Sequence, residues 1–178
     1  MKNYILPLIA LAFAFTGCDE LKEKSFDASY AKNLTVDIDE TSADGVFDIS
    51  EVLNALSNEN LEQVQDKIKS YDIREMSYKV WEYDGPIGSI MDGEIKILNG
   101  NGDVLYATAM APELLVDMNA DEAYRLIEMT DEEEKVITDA LLNDNSVTVK
   151  AVGTVSEVPV HFVLQTRVDI TAVAEVED

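Results

Sequence analysis

Two long stretches near the ends of the chain alternate apolar and polar residues with period two. No other feature restricts the fold as strongly. In residues 26–38 the even positions are Phe26, Ala28, Tyr30, Lys32, Leu34, Val36 and Ile38, and the odd ones are mostly Asp, Ser, Asn and Thr. In residues 160–176 the even positions are Val160, Phe162, Leu164, Thr166, Val168, Ile170, Ala172, Ala174 and Val176, with His161, Gln165, Arg167, Asp169 and Glu175 among their neighbours. Side chains of an extended chain point alternately to opposite faces, so each run reads as a strand with one face buried. Both runs exceed the usual length of about five or six residues, which predicts bends or bulges within them.

Shorter strand signals lie between the two. Residues 73–83 place Met76, Tyr78 and Val80 on one face, and residues 146–152 do the same with Val147, Val149 and Ala151. Residues 94–98 and 104–108 flank Asn99-Gly100-Asn101-Gly102-Asp103, a hairpin turn rich in residues that tolerate positive φ. Two helices interrupt the strands. Leu61, Val64, Ile68 and Tyr71 recur at helical spacing after Ser57-Asn58. Thr130-Asp131-Glu132-Glu133 is a capping box leading into Val136, Ile137, Ala140 and Leu141. The pattern predicts a mainly β, α+β chain: an antiparallel β-sandwich with two helices and with the terminal strands in the middle of a sheet.

Charge and residue inventory narrow the function. The chain of 178 residues carries 36 acidic and 13 basic side chains, for a net charge of −23. Nucleic acid is therefore not an expected partner, since phosphate binding needs a basic footprint. Nor is charge-driven docking on anionic lipid expected. One His and one Cys leave no Cys₂His₂ or His₃ zinc site. No Gly-x-Ser-x-Gly, His-Glu-x-x-His or phosphate-cradling glycine loop is present. The chain is thus expected to be no enzyme, to lack catalytic residues, and to need no cofactor unless it binds Ca²⁺. A carboxylate-pair enzyme has no positive motif behind it.

The first 18 residues read as an address. Met1-Lys2-Asn3 precedes an apolar run from Tyr4 to Phe15, and Thr16-Gly17-Cys18 follows. This is the plan of a secretory signal peptide, and the run is shorter than the about 20 apolar residues a membrane-spanning helix needs. Phe15-Thr16-Gly17-Cys18 resembles the lipobox of bacterial lipoproteins, in which the Cys becomes the first residue of the mature chain. Family lipoboxes more often have Leu where Phe15 stands. The resemblance implies lipidation of Cys18 and a membrane partner reached through its acyl chains. It also implies a place in the bacterial cell envelope, at the outer membrane, on either its periplasmic or its surface-facing side. The chain then divides into a signal peptide (1–17), a lipidated Cys and tether (18–25), and one β-rich extracytoplasmic domain (26–178).

Within that domain, Trp81 and Tyr83 fall on one strand face beside Asp84. An exposed aromatic pair next to a carboxylate can stack on sugar rings. The expected function is a lipid-anchored, non-enzymatic binding module with an unknown protein or glycan partner. Its alternative is a carbohydrate-binding accessory lipoprotein of a surface uptake system that uses Trp81, Tyr83 and Asp84. Asp117, Asn119, Asp121 and Glu128 match positions 1, 3, 5 and 12 of a calcium loop, with Glu122 where such a loop needs Gly. His161, on the polar face of its strand, reads as a structural histidine.

Overall fold

The computed structural model describes residues 22–42 and 44–176. The elements in chain order are β1 (Lys22–Ile38), β2 (Val46–Asn54), α1 (Glu59–Glu62), β3 (Ile68–Asp84), β4 (Ile90–Leu98), β5 (Val104–Leu114), α2 (Leu115–Asp121), β6 (Arg125–Leu126), α3 (Asp131–Asp144), β7 (Ser146–Val155) and β8 (Val160–Val176). Single 3-10 turns occupy Ala55–Ser57 and Gln65–Lys67. The strands form two antiparallel sheets, in the orders β1-β8-β3-β6 and β2-β7-β4-β5. The chain is an antiparallel β-sandwich with few helices.

The alternation in β1 becomes a buried face of Ala28, Tyr30, Leu34, Val36 and Ile38, and the same face of β8 buries Phe162, Leu164, Ile170, Ala172 and Ala174. β8 lies between β1, with which it pairs without a break from Lys22–Val176 to Ile38–Val160, and β3. β1, however, ends up at the sheet edge, not in the middle. The Phe47 and Phe162 rings meet edge to face, 5.8 Å between centroids, and join the two sheets in one core. Burial pushes the Tyr30 hydroxyl up to about 12, so it stays protonated and donates to the Ala55 carbonyl.

The helix expected after Ser57-Asn58 shrinks to the single turn of α1. Ile68 and Tyr71 belong to β3, opposite Ala174 and Ala172 of β8. A 17-residue strand with a neighbour along its length gains more than a short isolated helix can, which is marginal in water. The capping box does start α3: Glu133 N–H donates to Thr130 Oγ1 at 3.3 Å, and Thr130 N–H donates to Glu133 Oε2 at 2.8 Å. At the open flank of the sandwich, Arg125 of β6 grips Glu113 of β5 through Nη2 at 2.6 Å and Nε at 3.2 Å. This bidentate pair ties one sheet to the other.

Candidate functional site

Three connections meet at one end of the sandwich and enclose an open cleft of about 400 Å³. The end of β1 and the turn after it bring Asp37, Ile38, Asp39 and Ser42. The end of β3 brings Asp84 and Gly85, and the entry to β8 brings Pro159, Val160 and His161.

Register sets the geometry. Asp37 pairs with His161 across β1 and β8, and Asp84 pairs with the same His161 across β3 and β8. The imidazole therefore sits in a row between two carboxylates. His161 Nδ1 lies 2.5 Å from Asp37 Oδ1. Because an ionised carboxylate only accepts, Nδ1 carries the proton, and in the neutral ring Nε2 is left as an acceptor.

Asp39 turns its Oδ1 back on its own loop, accepting from Thr41 Oγ1 at 2.6 Å, Thr41 N–H at 2.9 Å and Ser42 Oγ at 3.3 Å. The Thr41 hydroxyl, helped by the Thr41 amide, holds this carboxyl below its ordinary range, so Asp39 is anionic at neutral pH. No Lys or Arg is among the residues that line the cleft.

A one-residue β-bulge explains why Asp84 is there. The ladder passes from Trp81–Val163 to Asp84–His161, with Glu82 in the left-handed region at φ 54. Without the extra residue Tyr83 would stand beside His161; the bulge re-aims the strand end and substitutes a carboxylate. It also breaks the alternation that placed Trp81 and Tyr83 on one face.

Trp81 is half-buried, and its indole N–H has no acceptor among the described residues. Tyr83 is half-buried too. Its hydroxyl donates to the Pro86 carbonyl, and its amide donates to Asn119 Oδ1 at 3.1 Å. Burial pushes its phenol up. Of the three residues expected to form an aromatic platform, only Asp84 lines the cleft.

The four residues of the calcium reading are not gathered into a loop. Asp117, Asn119 and Asp121 lie on α2, and residues two apart on a helix do not face one another. Asn119 is engaged by Tyr83, and Asp121 lies 3.7 Å from Arg125 Nη2. Glu128 is reached by Tyr106, whose hydroxyl donates to its backbone carbonyl at 2.8 Å. Among the described residues no group of three or more His, Cys, Asp or Glu is placed to hold a metal ion. Cys18 lies outside the described residues.

No family model matches the chain, and no curated protein matches it. Three solved structures that align with it are all of viruses. The structure of infectious bursal disease virus, Gx strain, aligns at 14% identity and TM-score 0.36, over 96% of this chain and 41% of that one, so the chain spans less than half its length. Desmodium yellow mottle tymovirus aligns at 8% identity and TM-score 0.34, over 100% and 91%. Mud crab tombus-like virus aligns at 11% identity and TM-score 0.40, over 100% and 92%.

The structures that align are of viruses and none is of an envelope lipoprotein. The lipid-anchored binding module, the glycan-uptake accessory, the membrane and glycan partners and the cell-envelope location thus find no counterpart in the comparisons and are not carried further. A viral role is not taken from the likeness either, because TM-scores of 0.34–0.40 carry no argument about function.

Proposed function

We propose that the cleft binds a ligand through a cationic group, an ammonium or a guanidinium, and that the chain does no catalysis there. One observation carries the reading: carboxylates from separate strand ends, Asp37, Asp39 and Asp84, converge on a single opening with no Lys or Arg in its lining. Ile38, Pro159 and Val160 give it apolar walls for an aliphatic stem. Against catalysis stands the missing nucleophile. The Asp37–His161 pair resembles the orienting half of a triad, but the Ser42 hydroxyl donates to Asp39.

Exposed ion pairs are worth up to about 1 kcal/mol each, so three carboxylates support a dissociation constant of about 6 mM. Salt should weaken it. His161 is the sole histidine, so its ring resonances report on the cleft without assignment. Titrating arginine amide into the protein is expected to shift them, while acetamide leaves them in place. Asp84→Asn is expected to weaken the binding about fivefold, the equivalent of about 1 kcal/mol. Equal shifts from both compounds, or none, would rule the cation site out.

From residues 1–18 alone we also propose cleavage before Cys18. The expected observation is an N-terminal peptide that starts at Cys18. A peptide that starts elsewhere contradicts it.

A further inference from the structure

We propose that β2 is a self-pairing edge, and that a second copy of this chain adds its own β2 antiparallel to it, centred on Ile49. Among the described residues β2 pairs with β7 on one side and ends the sheet on the other.

The phase of the ladder is set by two bonds at its ends. Val155 N–H donates to the Gly45 carbonyl, and Ala55 N–H donates to the Asn145 carbonyl, both at 2.8 Å. The odd residues of β2 therefore bond toward β7. Val46, Asp48, Ser50 and Val52 turn their N–H and C=O groups to the open side. These same even residues point away from the core, and all of them are exposed.

A two-fold axis through Ile49 makes the strand complementary to itself. It places Val46 against Val52 of the second copy and Val52 against its Val46, two apolar pairs formed from residues now 59% and 54% exposed. It places Asp48 against Ser50, and each such pair exchanges two backbone hydrogen bonds. Charge agrees with this register. Lys150 stands beside Ser50 in the β2–β7 ladder and already holds Asp48 at 2.8 Å. Across the seam, Asp48 of the second copy takes the place next to Ser50 in the same row, so the row runs Lys150, Ser50, Asp48 of the second copy. No like charges are placed opposite one another, since Glu51 meets Phe47.

The competing edges lack this. β1 turns Lys32 toward the core side in mid-strand, and β5 carries Pro112, both common guards against strand addition. β2 has no proline, glycine or bulge over Val46–Asn54.

Sedimentation velocity of the full chain from low micromolar to millimolar concentration tests the pairing. The expected result is a monomer–dimer equilibrium. Ser50→Pro removes an N–H that the β2–β7 ladder does not use, so it is expected to weaken self-association at least about tenfold while leaving the melting temperature in place. Val52→Lys, an exposed substitution, is expected to do the same and serves if the proline variant fails to fold. A monomer at every concentration overturns the proposal. So does a dimer that both folded variants retain, or an open-ended series of oligomers.

Discussion

Phe162→Ala is expected to lower the free energy of unfolding by about 3–5 kcal/mol, the range for truncating a buried aromatic. Phe162 is wholly buried on the inner face of β8, opposite Val36 of β1, and its ring meets that of Phe47 in the other sheet at 88°. Its loss removes transfer energy and leaves a cavity between sheets that paired backbones hold apart. Urea unfolding with an unchanged slope measures the loss. A double-mutant cycle with Phe47→Ala should recover about 0.5–1.5 kcal/mol of coupling, the value of an aromatic pair beyond its buried area. A loss below about 1 kcal/mol would mean that the two sheets do not meet through these rings.

Gly153→Ala is expected to cost about 1–3 kcal/mol despite adding one methyl group. A Cβ on Gly153 would lie 2.4 Å from the Asp92 carbonyl oxygen and 2.7 Å from the edge of the Phe47 ring. The oxygen belongs to the facing backbone and has nowhere to swing. Gly93, its cross-strand partner, is as tightly placed, with Val152 O at 2.4 Å. The two glycines let β4 and β7 close under Phe47. Gly100→Ala is the control, because there the nearest atom is an Asp144 side-chain oxygen at 3.6 Å. Thermal melts should separate the two variants clearly. Equal melting temperatures would refute the packing argument.

Much of the sandwich was legible from short-range rules. The β1 and β8 alternation identified their buried faces residue by residue, and the capping box located the start of α3. The turn at Asn99 also forms as expected: its side-chain oxygen accepts from the amides of Asn101 and Asp103, both at 2.9 Å, and Gly102 takes φ +87. Leu61, Val64, Ile68 and Tyr71 misled because apolar spacing is degenerate over so short a run. The β8 ladder, more than 80 residues away in the chain, decided the conformation of Ile68 and Tyr71.

The cleft was not legible. Asp37 and Asp39 were ordinary members of an acidic surface, and His161 a lone polar-face residue. Asp37 and His161 are separated by 124 positions and meet only through strand register. Asp84 joins them because of a single bulge, for which the sequence carries no local signal strong enough to shift the alternation.

By itself, then, the sequence determined the periodic faces, the capped helix and the hairpin turn. These depend on neighbours within one or two turns of chain. The tertiary structure alone decided which strand lies at an edge, where β3 bulges, and which acids gather around His161. Those depend on backbone pairing between distant segments, where a slip of one residue turns every side chain to the other face.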